Sequence, residues 1–283
     1  MIVVVGSVNL DLVARLDRLP AAGETLSASG FSRVPGGKGA NQALAARRLG
    51  ARVRLVAAVG ADPLADEAVT LLRDGGVDLG GVRTAAGHTT GLALIQVDDA
   101  GDTTIVVVPG ANATLEVAPA DVAGADAILA VLEVPLSAVV AAARHAAPGA
   151  FFALNAAPAG PVPNAVLRRA DLVVVNRAEH AALGPSLGDA AARCVAVTHG
   201  ADGAVLLRDG VEVARAAPPP VRAVDGTAAG DAFTAALVVA MLDGVPDADA
   251  LRRACAAGAL AATRPGAQPS LPTAAEVDGI LAR

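Results

Sequence analysis

The stretch that decides the fold is residues 53–76, VRLVAAVGADPLADEAVTLLRDGG. It opens with the continuous apolar run Val53–Val59, which predicts a strand buried on both faces of a sheet. Asp62 and Pro63 follow as a capping residue and a first-turn proline, and they predict a helix that runs to Asp74 before two glycines. A buried strand followed at once by a helix is the unit from which layered α/β domains are built.

The same signal recurs along the chain. Further apolar runs that predict strands are Ile2–Val5, Ala127–Leu132, Phe151–Leu154, Leu172–Val175 and Cys194–Thr198, and Ala40–Leu49 predicts a helix. A chain of 283 residues is long enough for one large domain. We therefore predict a layered α/β/α fold with a central, mostly parallel sheet, in a single domain spanning residues 1–283.

One region breaks this rhythm and predicts a second, smaller sheet. Its β-type runs are Asp11–Leu16, Thr25–Ser32, Thr90–Val97 and Thr103–Val108, the last two joined by a loop rich in Asp and Gly that is typical of a hairpin. The small sheet would come from about residues 11–35 and 88–110. Such a sheet is expected to be a lid over a cleft or a dimer contact, although plain edge decoration explains it equally well.

Composition restricts the partners. A net charge of −6 and 1% aromatic residues argue against a nucleic-acid-binding protein, which needs basic surfaces and stacking platforms. The longest apolar stretches fall short of the roughly 20 residues that cross a bilayer, and Ile2–Val5 is typical of a strand, not a signal peptide. A cytoplasmic protein without a membrane partner is expected. Cys194 and Cys255 fit neither a disulfide framework nor a zinc site.

The stretch 224–233, VDGTAAGDAF, is the strongest candidate for chemistry. It leads into a helix from Ala228 to Leu242 that is apolar nearly all round and is therefore predicted to be buried. The N–H groups of Ala229, Gly230 and Asp231 would offer partial positive charge to an anion. The Asp231 carboxylate could accept a hydroxyl proton during phosphoryl transfer. Alternatively, it only complements the helix dipole, a contribution of about 0.3–1 kcal/mol.

This stretch resembles the C-terminal signature of the ribokinase family of carbohydrate kinases. Other stretches resemble that family in the same order: 6–11 (GSVNLD), 36–42 (GGKGANQ), Glu133, 155–159 (NAAPA), 176–179 (NRAE), 198–203 (THGADG) and 263–270 (TRPGAQPS). The resemblance implies ATP-dependent phosphorylation of D-ribose to D-ribose 5-phosphate. Deoxyribose, another pentose or a nucleoside remain alternative acceptors, and a non-catalytic sugar or nucleotide sensor is a further alternative.

The resemblance also implies site residues. Asp231 would be the base, assisted by Ala228, Ala229 and Gly230. The sugar would be bound by Asn9, Asp11, Gly36, Gly37, Lys38, Asn41, Glu133 and Asp231. The nucleotide would lie against Asn176, Thr198, Gly200, Ala201, Gly203, Gly230 and Cys255. A potassium ion would be held by Asp225, Thr227, Ala261, Arg264, Gly266 and Ser270, and magnesium would be bound through water by Glu179. The lid sheet, for its part, predicts a homodimer, since a small sheet is marginally stable alone and gains by packing against a copy.

Taken singly, these motifs also have ordinary structural explanations. The 36–39 glycines lack the spacing of a Walker loop or of a dinucleotide fingerprint and predict a turn before a helix. Asn176 is a good capping residue for a helix, and the glycines of 198–203 fit a β-turn. The chain departs from the family pattern at Gly226, where a threonine is usual, and at Cys255, where asparagine or histidine is common.

Overall fold

The computed structural model describes residues 1–189 and 192–282. The strands, in chain order, are β1 (Ile2–Val5), β2 (Asn9–Arg15), β3 (Gly30–Gly36), β4 (Val53–Gly60), β5 (Asp78–Ala85), β6 (Gly91–Val97), β7 (Thr103–Val108), β8 (Ala127–Val131), β9 (Phe151–Asn155), β10 (Leu172–Asn176), β11 (Cys194–Thr198), β12 (Ala204–Arg208) and β13 (Val211–Ala216). The α-helices are α1 (Lys38–Arg48), α2 (Pro63–Asp74), α3 (Leu136–His145), α4 (Asn164–Arg169), α5 (Arg177–Asp189), α6 (Ala229–Leu242), α7 (Asp247–Ala261) and α8 (Ala274–Leu281).

The large sheet has the strand order β13-β12-β11-β10-β9-β8-β1-β4-β5. Its strands are parallel from β11 to β5, and β12 and β13 add an antiparallel edge. Two apolar cores cover its faces, one holding Leu44, Leu237 and Leu251 from α1, α6 and α7, the other holding Val139 and Leu167 from α3 and α4. The predicted layered α/β/α fold with a mostly parallel sheet is confirmed.

The β4–α2 unit forms as its sequence predicts. Asp62 caps α2, because its Oδ1 accepts hydrogen bonds from the N–H groups of Leu64 and Ala65 at 3.0 and 3.2 Å. Its Oδ2 accepts the N–H of Thr90 at 2.6 Å. One carboxylate therefore caps the helix and also fixes the chain just before β6.

The second sheet, which we call the lid sheet, has the order β3-β2-β6-β7. β2 pairs with β3 in antiparallel and with β6 in parallel orientation, and the predicted β6–β7 hairpin is present. β7 is exposed along its whole length, and Phe31, Leu94, Ile105, Val106 and Val107 are exposed apolar side chains of this sheet. The lid sheet thus presents a group of exposed apolar side chains to solvent.

Two features differ from the sequence prediction. The strand predicted at Thr25–Ser32 begins only at Gly30 and continues through Pro35. Pro35 is tolerated because β3 is an edge strand of the lid sheet. β5 was not predicted at all: Gly80 and Gly81 interrupt its apolar pattern, yet a Cβ at Gly81 would lie 2.6 Å from the Leu55 carbonyl oxygen, so the close approach to β4 depends on glycine.

Candidate active site

The N-terminus of α6 lies between two pockets and is open to both. Gly226 and Gly230 line each pocket, as does Thr198 at the end of β11. A Cβ built on Gly230 would meet nothing within 4 Å, so there is open space beside this residue of the first turn. Ala228, the residue before the helix, has a left-handed backbone with φ of 59°. Such a conformation is strained for a residue other than glycine and is concentrated at functional sites.

The free amides at this helix end differ from the predicted set by one. The N–H of Ala229 donates to the carbonyl oxygen of Gly226 at 3.2 Å, so it does not face a ligand. The cause is the left-handed turn at Ala228, which folds the chain back on itself. The N–H groups of Ala228, Gly230 and Asp231 donate to no acceptor within the described residues. Together with the helix dipole, they form an anion site.

Asp231 is buried in the first turn of α6, and both of its oxygens are held by amides from α1. Asn41 Nδ2 donates to Oδ2 at 2.9 Å, and Gln42 Nε2 donates to Oδ1 at 2.8 Å. Burial raises the pKa of Asp231, and the charge of Lys38 opposes that rise. A carboxylate with a raised pKa, fixed beside an anion site, is suited to accept a proton.

The pocket on the Asp231 side, which we call the polar pocket because many charged and amide side chains line it, has a volume of about 340 Å³ and also has apolar side chains of the lid sheet in its wall. It brings together most of the residues predicted for the sugar, including two, Asn9 and Asp11, from the start of β2 in the lid sheet. The predicted residues that line it are Asn9, Asp11, Gly37, Lys38, Asn41, Glu133, Asn176, Glu179, Thr198, Thr227, Ala228, Gly230 and Asp231. Asn176 thus lies on this side of the helix end, away from the second pocket.

Gly36 lines neither pocket and instead lies behind Asp11. A Cβ on Gly36 would come within 2.3 Å of Asp11 Oδ2, so only glycine lets the carboxylate reach its place. Gly37 has φ of 89°, and a Cβ there would lie 2.7 Å from the Asn9 nitrogen. Burial, followed by the charges of Glu133 and Asp231, raises the pKa of Asp11 to about 7.

Glu133, just past the end of β8, ties the sugar-side loops together. Its Oε2 accepts hydrogen bonds from Ser7 Oγ at 2.6 Å and from the Lys38 N–H at 3.0 Å. The charges of Asp231, Glu133, Glu179 and Asp11 surround the Lys38 ammonium; that of Asp231 has the largest effect, and together they raise the pKa of Lys38. The pocket therefore holds a cation among four carboxylates.

Asn9 is oriented by Asn112, a buried residue in the turn after β7. Asn112 Nδ2 donates to Asn9 Oδ1 at 2.8 Å and to the Val8 carbonyl at 3.1 Å, while its Oδ1 accepts the Val8 N–H at 2.9 Å. These bonds leave the Asn9 amide nitrogen as a donor toward the pocket.

Asn176 and Glu179 form a reciprocal cap at the start of α5. The Asn176 N–H donates to Glu179 Oε2 at 2.8 Å, and the Glu179 N–H donates to Asn176 Oδ1 at 2.9 Å. The capping role that the sequence allowed is therefore present. Glu179 is also buried against the polar pocket, and its Oε1 accepts no hydrogen bond from the described residues.

The second pocket is largely apolar, with a volume of about 490 Å³. Thr198, Gly200, Ala201, Gly203, Gly230 and Cys255, all predicted for the nucleotide, line it, and Pro218–Pro220 and Phe233 complete its wall. Cys255 is buried, and burial raises the pKa of its thiol to about 11. A wall of small residues and prolines can accept a flat apolar ring.

Only some of the residues predicted to hold a monovalent cation contact one another. Asp225 Oδ1 accepts the N–H and hydroxyl of Thr227 at 2.9 and 2.6 Å, and Asp225 Oδ2 accepts the Gly266 N–H at 2.8 Å. Burial alone would raise the pKa of Asp225, but these hydrogen bonds lower it. Arg264 pairs with Glu276.

The two remaining predicted residues, Ala261 and Ser270, are buried within the structure. The Ser270 hydroxyl donates to the Ala267 carbonyl at 2.8 Å. Within residues 1–189 and 192–282, no cluster of three His, Cys, Asp or Glu side chains is arranged to hold a metal ion. A cation at this loop would therefore depend on backbone oxygens.

Four residues of the site were not among the predicted ones: Ser7, Gln42, Asn112 and Asn155. Ser7, Gln42 and Asn155 lie inside the stretches that resemble the family, so the signal was present, but their side chains support other groups. Asn112 had no signal, since it follows the lid sheet in a region with no motif.

The chain was compared with known proteins. The sequence model described as pfkB family carbohydrate kinase matches residues 1–274. The ribokinase of Haemophilus influenzae is 35% identical over 292 residues, covering 96% of this chain and 95% of the relative. The ribokinase of Bacillus subtilis is 36% identical over 294 residues, covering 99% of both chains.

Solved structures show the same similarity as the sequences. The Thermotoga maritima ribokinase superposes with a TM-score of 0.90 at 31% identity, covering 100% of this chain and 99% of that one. The Arabidopsis thaliana ribokinase complexed with ribose and ATP superposes with a TM-score of 0.89 at 32% identity, covering 99% and 98%. A matching family model over nearly the whole chain, together with full-length relatives above 30% identity, places this chain in the pfkB family of carbohydrate kinases.

Proposed function

We propose that this protein transfers the γ-phosphoryl group of ATP to the 5-hydroxyl of D-ribose. The observation that carries the proposal is the open N-terminus of α6, with a polar pocket on one side and an apolar pocket on the other. The Arabidopsis thaliana relative was solved in complex with ribose and ATP. The apolar and polar pockets of this chain suit a nucleotide and a polyol, respectively.

In this proposal Asp231 removes the proton from the sugar hydroxyl as the phosphoryl group arrives. The free amides of Ala228, Gly230 and Asp231 stabilise charge on the transferred group. Lys38, held among carboxylates, adds a positive charge on the sugar side. Phosphoryl transfer needs mainly such positioning and charge stabilisation from the protein.

The sugar pocket supplies the fixed donors and acceptors that a polyol requires. The Asn9 amide nitrogen and Lys38 donate, while Asp11 and the free Glu133 oxygen accept. Groups held in this way favour a sugar that satisfies all of them, because an analogue that lacks a hydroxyl leaves a buried partner unpaired. D-ribose is therefore proposed over deoxyribose.

Magnesium would be held at the polar pocket by Glu179 through water, since Glu179 Oε1 is free and Mg²⁺ retains most of its waters. The metal would neutralise phosphate charge. A monovalent cation such as K⁺ would lie at the loop that Asp225 joins to Gly266. The lowered pKa of Asp225 keeps that carboxylate negative, which suits a neighbouring cation bound through carbonyl oxygens.

The proposed assembly is a homodimer through the lid sheet. Phe31, Ile105, Val106 and Val107 give this sheet an exposed apolar surface, and a small sheet is marginally stable without a packing partner. The proposed small-molecule partners of the protein are ATP and a sugar. Its proposed location is the cytoplasm. Among the described residues, no helix is both long and apolar enough for a bilayer span.

The test is a coupled ADP-release assay over D-ribose, 2-deoxyribose, other pentoses and nucleosides, run with and without K⁺. We expect the highest kcat/KM for D-ribose. Asp231→Asn should keep the fold and sugar binding and lower kcat by about 10²–10⁴-fold or more. Near-normal turnover of Asp231→Asn would refute the role of this residue, and sugar binding by calorimetry without ADP formation in the wild type would indicate a sensor instead.

A further inference from the structure

Gln42 is fully buried on α1 and lines neither pocket, yet it contacts the reaction site through a hydrogen bond to Asp231. Its Nε2 donates to Asp231 Oδ1 at 2.8 Å and to Asn155 Oδ1 at 2.9 Å. Its neighbour Asn41 holds the other oxygen, Oδ2, and does line the polar pocket. The two oxygens of Asp231 therefore differ: Oδ1 is turned toward the protein interior, and Oδ2 lies on the pocket side.

Asn155 connects this contact to the sheet. It is the last residue of β9, and its Nδ2 donates to the Val174 carbonyl of β10 at 3.3 Å. That bond directs Asn155 Oδ1 toward Gln42, so the Gln42 amide must turn its nitrogen toward both acceptors. The side-chain amides of Asn155 and Gln42 thus form a series of hydrogen bonds that connects the carboxyl edge of the large sheet to Asp231.

The Gln42 Oε1 atom is buried and has no hydrogen-bond partner among the described residues. Burying a carbonyl oxygen without a partner lowers stability. A methionine of similar length would fill the same space without that penalty. The glutamine is therefore explained by what its nitrogen does for Asp231, since packing alone would favour an apolar side chain.

We propose that Gln42 is a positioning residue for phosphoryl transfer, which holds Asp231 Oδ1 against the sheet so that Oδ2 faces the sugar hydroxyl. The proposal rests on the function proposed above, in which Asp231 is the base. Gln42 does not touch substrate, and it acts through the rotamer and charge of Asp231.

The charged groups around Asp231 come from several elements. Lys38 lies on α1, Asp11 on β2, Glu133 after β8, and Glu179 on α5 beside Lys38. Burial raises the pKa of Asp231, whereas Lys38 and the hydrogen bonds from Gln42 and Asn41 lower it. Removing the Gln42 donor should therefore raise the pKa of Asp231, so that the base becomes protonated at a higher pH.

The test compares Gln42→Met with wild type. Methionine matches glutamine in length and has no group that can donate a hydrogen bond to Asp231. We expect kcat to fall by about 10- to 100-fold in Gln42→Met, with the KM for ribose changed by less than about threefold. The acid limb of the pH profile of kcat should move to higher pH. The melting temperature should fall less than in a cavity-forming variant of the same helix, because loss of the unpaired Oε1 partly offsets loss of the two Nε2 hydrogen bonds.

A matched control is Leu44→Ala, a fully buried position on the same helix. It should lower the melting temperature and leave the pH profile unmoved. Wild-type kcat and an unmoved acid limb in Gln42→Met would overturn the proposal, as would a loss of kcat that Leu44→Ala reproduces at every pH. Near-normal turnover of Asp231→Asn would instead overturn the base assignment itself, whatever Gln42→Met shows.

Discussion

Asp11→Asn should stabilise the folded protein increasingly between about pH 4 and pH 7, and it should weaken ribose binding. In the folded protein the pKa of Asp11 is about 7, against an ordinary value of 3.8, chiefly because of burial. The difference of about 3 pKa units, at 1.36 kcal/mol for each, gives about 4 kcal/mol. That is the greatest amount by which ionised Asp11 lowers the free energy of unfolding, and asparagine removes it.

The sign follows from proton linkage. Between about pH 4 and pH 7 the folded state holds a proton on Asp11 that the unfolded state has lost, so the wild type loses stability as pH rises through this range. Above pH 7 the loss is complete and constant. The stability difference between Asp11→Asn and wild type should therefore grow from pH 4 to pH 7 and then level off.

Urea unfolding at pH 4, 5.5, 7 and 8.5 measures this difference, since all other titrating groups are common to both proteins. Isothermal titration with ribose at pH 8 measures the functional loss, which we expect because asparagine replaces the ionised acceptor with a neutral amide. A stability difference that stays constant with pH would show that Asp11 titrates normally and would refute the reasoning.

Four further substitutions test other parts of the structure. Gly36→Ala should raise the KM for ribose at least tenfold with little effect on the KM for ATP, because the new Cβ would lie 2.3 Å from Asp11 Oδ2; equal effects on both would contradict it. Gly203→Ala, with φ of 90° and a Cβ 2.0 Å from the Ala216 carbonyl, should cost about 2–4 kcal/mol in urea unfolding. Gly200→Ala, with φ of 60° but open space, should cost only about 1 kcal/mol, and similar costs for both would be the contrary result. Val106→Glu should shift a dimer toward monomer in light scattering, and an unchanged mass would count against the lid-sheet interface.

Much of the fold was predictable because it depends on local patterns. The run 53–59 and the Asp62 cap produced β4 and α2 where predicted, with α2 ending at Asp74. The two runs 90–97 and 103–108 formed the hairpin of the lid sheet. β5 was not predicted because its position depends on glycines that pack closely against a neighbouring strand. The periodicity of apolar residues in the sequence gives no sign of such a contact.

The candidate site was predictable only as a set of residues. The family resemblance predicted that Asp231, Asn41 and Lys38 belong to the site, and the structure brings all three to one pocket. The reciprocal bonds of Asn176 and Glu179 show that one pair can serve both as a helix cap and as a pocket wall. A residue's local role therefore did not exclude a second role in the site.

The sequence by itself determined the alternation of strands and helices, the burial of α6 and the family. Each of these depends on patterns among residues that are close together in the chain. Only the tertiary structure decided which amides at α6 are free and what holds Asp231. The left-handed turn at Ala228 consumes the Ala229 N–H, and Gln42 reaches Asp231 across 189 residues of chain. Backbone handedness and contacts between distant residues arise from packing, which no local pattern in the chain encodes.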